Sequence, residues 1–156
     1  MANCRKYAAP FANTPPAQSS TVPIFGVNGA ATCRLRLYQW LNGSDTAPAN
    51  AAIQLTISRI TTALATGTAV TPRPLDSADP ASTSTAMQGP SIGAPTITAN
   101  SSLWQQGLNQ NNSLREFFQD GYEIVVPATA NNGLCLLPIA IGGTAFDCVG
   151  TWFFTE

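Results

Sequence analysis

The chain has 156 residues and a formal net charge of -1, from seven Lys and Arg against eight Asp and Glu. Hydrophobic residues make up 44% of it, which excludes a disordered chain, and the length fits one domain with a real core. The balanced charge argues against a nucleic-acid-binding protein, and the longest apolar run, LCLLPIAI, is too short to span a bilayer.

Charged residues are scarce, at 10% of the chain. Solubility then depends on Thr, Ser, Asn and Gln, which form a neutral polar surface with little repulsion between copies. This composition favours an oligomer or a subunit docked on a larger assembly. The N-terminus MANCRKYAAPFANTPP lacks the apolar segment of a signal peptide, so we expect a soluble protein made in the cytoplasm.

The first recognisable strand, TVPIFGV, follows a segment over residues 1–20 that we predict to be an N-terminal arm, with a single domain over residues 21–156. The clearest strand comes next, in TCRLRLYQWL. There Cys33, Leu35 and Leu37 alternate with polar and aromatic residues at a period of two, as in a half-buried strand.

The segment AAIQLTISRITTAL is also predicted to be a strand, because β-branched residues dominate it. Ile53, Leu55 and Ile57 share one face. Ile60 and Leu64 then fall out of phase, which predicts a bulge or bend.

A Pro-rich tract follows, over residues 65–100. Its five prolines forbid a long helix and exclude central strands, although GTAV and PTIT could pair at sheet edges. We expect a long surface excursion that lies on a neighbouring molecule, with Pro72, Arg73 and Pro74 among its contact residues, because proline reduces the entropy lost on docking.

The remaining elements are short and separated by Gly, Asn and Pro turns. NSLREFFQDG fits either a capped helical turn or a strand ended by Asp-Gly, and its neighbours favour the strand. YEIVVP, GLCLLPIAI and AFDCVGTWFF are predicted to be antiparallel strands. In the last, one face is predicted to carry Phe146, Cys148, Trp152 and Phe154, and the other Asp147, Val149, Thr151 and Phe153.

About eight strand candidates, counting the weaker SLWQQGL, predict an all-β fold: an antiparallel β-sandwich of jelly-roll type with a long Pro-rich connection. Two packed sheets would bury the alternating aliphatic residues.

Groups for catalysis are few, so we do not expect an enzyme. The chain has no His, and Lys6 is its only lysine. Asp76 and Asp79 fit ordinary turns better than a calcium loop. The four cysteines lack metal-ligand spacing and are expected to be buried free thiols rather than disulfides. No catalytic residue, metal or cofactor is predicted.

The sharpest cluster is a run of Arg and aromatic residues on the outer face of the strand TCRLRLYQWL: Arg34, Arg36, Tyr38 and Trp40, with Arg59 on the next strand. Such residues are enriched at the centres of protein interfaces. The alternatives are a solvated face or a second buried sheet face. A glycan site built from Trp40, Trp104 and Trp152 is a further alternative, although Trp residues in unrelated segments usually belong to a core.

Residues 50–156 resemble a group of small structural proteins of tailed bacteriophages. The motifs that carry the resemblance are RITTALATGTAVTPRPLDSADPASTSTA, GYEIVVPATANNGLCLL and the terminal TWFFTE. These are turn and strand motifs and not catalytic signatures. Residues 1–20 lie outside the resemblance.

The resemblance implies a jelly-roll decoration, or cement, protein that binds the outside of the capsid and reinforces it, often as a homotrimer. The partners it implies are the major capsid protein and other copies of the chain, with no nucleic acid and no membrane. The expected location is the exterior of the capsid in the virion. The competing hypothesis is a receptor-binding or glycan-binding module of a fibre or tail.

Overall fold

The structure is a computed structural model that describes residues 5–13, 21–44, 50–89, 92–141 and 147–156. Within these ranges it contains no helix. The strands are β1 (Lys6–Asn13), β2 (Phe25–Asn28), β3 (Leu35–Ser44), β4 (Ala52–Ile60), β5 (Thr68–Val70), β6 (Arg73–Pro74), β7 (Thr85–Gln88), β8 (Ile97–Asn109), β9 (Leu114–Phe117), β10 (Ile124–Val126), β11 (Gly133–Ile141) and β12 (Cys148–Thr155).

The strands form two antiparallel sheets that pack face to face. Sheet A has the order β10-β3-β12-β1-β6, and β9 pairs with β3 beside β10. Sheet B has the order β5-β7-β2-β11-β4-β8. The predicted all-β sandwich is therefore confirmed, while its jelly-roll type stays a prediction.

The main core lies between the sheets and is rich in aromatic side chains. Phe25 of sheet B stacks on Phe11 with ring centroids 4.4 Å apart and meets the edge of Trp152 at 5.0 Å. Leu134 and Leu136 of β11 belong to this core. The alternation of β11 sends its other side chains to the outer face of sheet B.

A second, smaller core lies on that outer face. It comprises Ile60, Leu64, Ile92, Cys135 and Leu137. Strand β4 pairs with β11 without a register shift from Leu55 to Ile60, so Ile60 is out of phase because it points into this outer core, and the predicted bulge is not in β4. The register shifts near Ser58 place the extra residues on β8. Both faces of sheet B are thus covered in this region, so the strands there are apolar on both sides.

Residues 6–13, which fall within the predicted N-terminal arm, form β1 in the structure. This strand pairs with β12 along its whole length and with β6 on its other side. Its side chains Tyr7, Ala9 and Phe11 enter the main core. The segment therefore differs from a projecting arm, because its alternation of apolar side chains completes sheet A. The rest of that arm, residues 1–4 and 14–20, lies outside the described residues.

Short pieces of the Pro-rich tract pair with both sheets, while its role as the long connection of a jelly roll stays a prediction. It contributes β5 and β7 to sheet B and β6 to sheet A. GTAV pairs as predicted, as β5. Pro72 is buried and Pro74 half-buried, whereas Arg73 is exposed. The expected exposed strip is therefore wrong for Pro72, which is buried against the sandwich, whereas Arg73 and Pro74 keep exposed surface.

The remaining predictions of local structure are confirmed where they can be compared. NSLREFF forms a strand, β9, and the following Gly121 has a positive φ of 91° in the turn before β10. In β12, Cys148, Trp152 and Phe154 are buried, and Val149, Thr151 and Phe153 are half-exposed. Phe146 lies outside the described residues.

Candidate interaction surface

A bulge in β3 decides which side chains face solvent. Phe153 of β12 pairs with Gln39, but the next residue, Phe154, pairs with Leu37, so Tyr38 is an extra residue on β3. An extra residue reverses the alternation of a strand. Leu37 before the bulge and Trp40 after it therefore both point into the core.

The outer face of sheet A can be read from its register, because paired residues of an antiparallel sheet project to the same side. We call this side of the sheet face A. Its members on β1, β3, β6, β9, β10 and β12 are Lys6, Ala8, Pro10, Ala12, Arg36, Tyr38, Gln39, Leu41, Gly43, Arg73, Arg115, Phe117, Val125, Val149, Thr151, Phe153 and Thr155.

Three aromatic rings form a cluster on face A. The Tyr38 ring lies 6.4 Å from the Phe117 ring, edge to face, and 6.4 Å from the Phe153 ring. Lys6 places its Nζ 5.8 Å from the centre of the Tyr38 ring. Phe117 is 59% exposed, which is unusual for so large an apolar side chain. The cluster is a compact aromatic patch on face A.

Face A is also positively charged. Lys6, Arg36, Arg73 and Arg115 lie on it, and none of its paired positions carries Asp or Glu. These are four of the seven basic residues of a chain whose net charge is -1. The amide of Gln39, oriented with its oxygen toward Arg115, accepts a hydrogen bond from Nε at 2.9 Å, which holds that guanidinium on the face. The basic charge is therefore concentrated on one side of the sandwich.

The predicted interface residues separate into two groups. Arg36, Tyr38 and Arg73 lie together on face A, and Arg34 is exposed just before β3 begins. Trp40 was predicted on this face and is instead fully buried. The prediction is wrong because the β3 bulge reverses the alternation after Tyr38.

Arg59 has a structural partner. It lies on β4 of sheet B, and its Nη1 donates to the Val125 carbonyl of β10 at 2.6 Å. The bond ties the two sheets together, so Arg59 does not join Arg36 and Tyr38 on face A.

Sequence reasoning missed half of the cluster. Phe117 and Arg115 come from β9, which is far from β3 in the chain and next to it in the sheet. The only part of the cluster that the sequence indicated in addition to Tyr38 and Arg36 was Phe153, which alternation places on the face of its strand opposite Trp152 and Phe154. Pairing of β9 with β3 requires knowledge of the topology, which no local pattern contains.

The three Trp residues do not form an exposed glycan platform. Trp40 and Trp152 are fully buried, and Trp104 is half-buried against Trp40 with ring centroids 4.4 Å apart. A sugar ring stacks on an exposed aromatic face. That version of the glycan hypothesis is therefore wrong, because these indoles are packed in the core.

A cleft of about 630 Å³ is lined by Arg5, Tyr7, Thr32, Cys33, Asp79, Pro80, Ala81, Thr83 and Glu156. Arg5 Nε lies 3.7 Å from Asp79 Oδ1, and the Tyr7 hydroxyl donates to the Pro80 carbonyl at 3.2 Å.

Asp76 Oδ1 accepts from the Ala78 amide at 2.9 Å, which confirms the predicted turn.

Glu156 in this cleft is fully engaged by the segment before β7. Its Oε1 accepts from Ser82 Oγ at 2.6 Å and the Ser84 amide at 2.9 Å, and its Oε2 accepts from the Thr83 amide at 3.1 Å and Thr83 Oγ1 at 3.0 Å. Burial by itself would raise the pKa of Glu156, but these hydrogen bonds outweigh burial and the pKa is lowered. An ionised, fully bonded carboxylate is a structural clip and a poor general acid near neutral pH.

The cysteines that the structure describes are all free thiols. Cys135 and Cys148 are buried free thiols, as predicted, and burial raises the pKa of each to about 12. Cys33 is also free and half-exposed, and Cys4 lies outside the described residues. Within the described ranges, no three His, Cys, Asp or Glu side chains group closely enough to hold a metal ion.

Within the part of the chain that the structure describes, no helix has the length and apolar character needed to cross a membrane. Comparison with protein families, curated proteins and solved structures found no match to this chain.

Proposed function

We propose that this chain is a structural protein of a tailed bacteriophage that binds the outer surface of the capsid through face A and stabilises the shell. The resemblance of residues 50–156 to decoration proteins supports the biological setting. The observation that carries the proposal is the exposed aromatic and basic cluster of Tyr38, Phe117, Phe153, Arg36 and Arg115 on a rigid sheet. The protein needs no catalytic group for this role.

The aromatic part of face A supplies binding energy. Residues of this kind dominate the centres of interfaces, where a few well-packed side chains contribute most of the affinity. Phe117 and Tyr38 meet edge to face, so they present one apolar surface with a fixed shape. Covering Phe117 would remove from water an apolar side chain that the isolated sandwich leaves 59% exposed.

The basic part of face A supplies orientation. Arg36, Arg115, Lys6 and Arg73 surround the aromatic cluster, so the complementary partner surface is acidic at its rim and apolar at its centre. The rest of the molecule carries the acids of a chain with net charge -1. The protein would therefore dock with one side toward the shell, and its docking rate should fall as salt is added.

The architecture limits the cost of binding. Face A is built mainly on β3 and β12, which are paired over eight positions and anchored in the core. Little conformational entropy is lost when such a preformed surface binds. Binding to the assembled lattice and not to free capsid subunits stabilises the lattice by mass action. The homotrimer that the resemblance implies would place three such faces on the shell together.

The direct test is co-sedimentation with capsids that lack the protein. Wild-type protein should pellet with these capsids, and Phe117→Ala and Arg115→Glu should each reduce the bound fraction at least tenfold. Leu103→Ala is the apolar control, because Leu103 is exposed on sheet B. Thr68→Glu with Ala128→Glu is the charge control, because it makes the same change of two charge units at exposed positions of other loops and strands. Both controls should bind like the wild type.

Two results would contradict the proposal. Wild-type protein that stays in the supernatant would refute capsid binding. Equal binding by Phe117→Ala, Arg115→Glu and the wild type would refute face A as the docking surface. Binding to a glycan array that is lost in Phe117→Ala, without any capsid binding, would favour the receptor-binding alternative.

A further inference from the structure

Strand β8 is a long open edge of sheet B. It runs over 13 residues, and within the described chain its pairing is with β4 alone. Its sequence, ITANSSLWQQGLN, contains no charged residue and no proline. Natural sheets protect their edges with charges, prolines or short strands, because an open edge offers backbone groups to any other strand.

The other sheet edges are protected in these ways. Strand β5 has three residues, β10 has three, and β6 has two, one of which is Pro74. Strand β9 has four residues and carries Arg115 and Glu116. Of the strands that end the two sheets in the described chain, β8 is therefore the only one with more than four residues.

One part of β8 is regular enough to pair. Leu103 is skipped between Ser102 and Trp104 in the register with β4, which marks a bulge. From Trp104 to Asn109 the register is continuous over six residues. We call this segment the β8 edge; it has the length of an ordinary strand.

We propose that the β8 edge pairs with the β8 edge of a second copy of this chain, antiparallel and around a two-fold axis, so that sheet B continues from one molecule into the next. A two-fold contact between antiparallel strands brings one residue opposite its own copy. A charged residue there would repel itself. Gln105 and Gln106 are exposed and uncharged, and an amide can both donate to and accept from an identical amide.

The apolar side chains of the β8 edge also favour this occupant. Trp104 and Leu108 pack against the main core but remain half-exposed at the open end of the sandwich. A strand paired to the open side of β8 would cover these two side chains. A second β8 edge presents the same apolar and amide surface, so the two copies are complementary.

This inference goes beyond capsid binding, because it concerns sheet B and leaves face A free. A two-fold contact between molecules that are all docked through face A would link neighbours across the seams of a lattice. Each contact would add to the stabilisation that docking provides.

The test is the mass of the full-length protein in a sedimentation-equilibrium concentration series, with Gln105→Lys/Gln106→Lys as the variant. Wild-type protein should show an association step that doubles the mass of the smaller species. The double variant should lose this step, because it places lysines beside their own copies. Ala128→Lys/Ala130→Lys adds the same charge to an exposed loop and should associate like the wild type.

Hydrogen exchange supplies a second measurement that does not depend on a variant. Amides of residues 104–109 should exchange more slowly as the protein concentration rises, while amides of face A should not change. A wild-type mass that never doubles, or doubling that persists in Gln105→Lys/Gln106→Lys, would overturn the proposal. Protection of residues 104–109 that arises only when capsids are added would assign the edge to the capsid protein instead. Capsid binding by a Gln105→Lys/Gln106→Lys variant that has lost the mass-doubling step would show that face A acts independently.

Discussion

A single carboxylate joins the end of β12 to the segment that leads into β7. Glu156 receives hydrogen bonds from Ser82, Thr83 and Ser84, and through them sheet A is linked to sheet B. Hydrogen bonds to a charged group are worth more than those between neutral groups. The half-buried position of this carboxylate reduces that value through solvent screening.

We predict that Glu156→Gln lowers the free energy of unfolding by about 1–2 kcal/mol at pH 7, the scale of charge-assisted hydrogen bonds at a partly exposed site. The pKa of Glu156 is lowered in the folded protein. Its contribution is therefore complete above the unfolded pKa of about 4.3 and is lost as the pH falls through the folded pKa. Urea unfolding at pH 7 and at about pH 3 should show the difference between wild type and variant shrinking in acid.

Asp120→Asn is the control for this prediction, because Asp120 is an exposed carboxylate in a turn. It should change stability by less than about 0.5 kcal/mol at either pH. A Glu156→Gln variant as stable as the wild type at pH 7 would show that the hydrogen bonds of the Glu156 carboxylate contribute no net stability.

Trp40 is a residue at which the sequence prediction and the structure disagree. The structure places it in the core against Trp104, with its indole Nε1 unpaired. We predict that Trp40→Ala costs about 3–5 kcal/mol, as for other large core side chains. Phe117→Ala, on the surface, should cost less than about 1 kcal/mol. Thermal or urea unfolding of both variants checks this, and similar stabilities would contradict the buried position of Trp40.

At the scale of the strands, close packing around β12 leaves little room for a side chain at Gly150. A Cβ at Gly150 would meet the Leu41 carbonyl oxygen and lie 2.7 Å from Cζ of Phe11. A Cβ at Gly107, in β8, would meet nothing within 4 Å. The two positions thus offer the same substitution in a crowded and an open site.

We predict that Gly150→Ala destabilises the protein by about 1–3 kcal/mol, since the backbone at Leu41 and the Phe11 ring must both shift to admit the methyl group. Gly107→Ala should be neutral or stabilising by up to about 1 kcal/mol, because alanine reduces the freedom of the unfolded chain. Urea midpoints of the two variants, measured on dilute protein, provide the check. Equal midpoints would contradict the packing of β1 against β12.

The sequence predicted the elements better than their assembly. Alternation in β4 and β12 identified side chains that face the main core, because the pattern within one strand records which of its faces is buried. The bulge at Tyr38 was hidden, since it depends on how β12 pairs with β3. Strand β1 was missed for a similar reason. The alternation of Tyr7, Ala9 and Phe11 is short, and the pairing with β12 and β6 that makes it a strand is not visible in the sequence. The prolines of the tract were expected outside, yet short strands carry Pro72 into the sandwich.

At the scale of the whole molecule, the two proposed contacts occupy different sheets. Face A of sheet A is basic and aromatic, and the β8 edge of sheet B is neutral and rich in amides. The first suits an acidic partner, and the second suits another copy of the chain. Such a division would let each molecule hold the shell and its neighbour at the same time.

The measurement that tests this account most directly is an electron cryo-microscopy reconstruction of the intact phage particle to which we propose that this protein belongs. We predict two-layered β density on the outside of the shell, with sheet A toward the capsid and the Phe117 and Arg115 side chains at the contact. Density for the chain on the tail alone, or on the shell with sheet B toward the capsid, would contradict it.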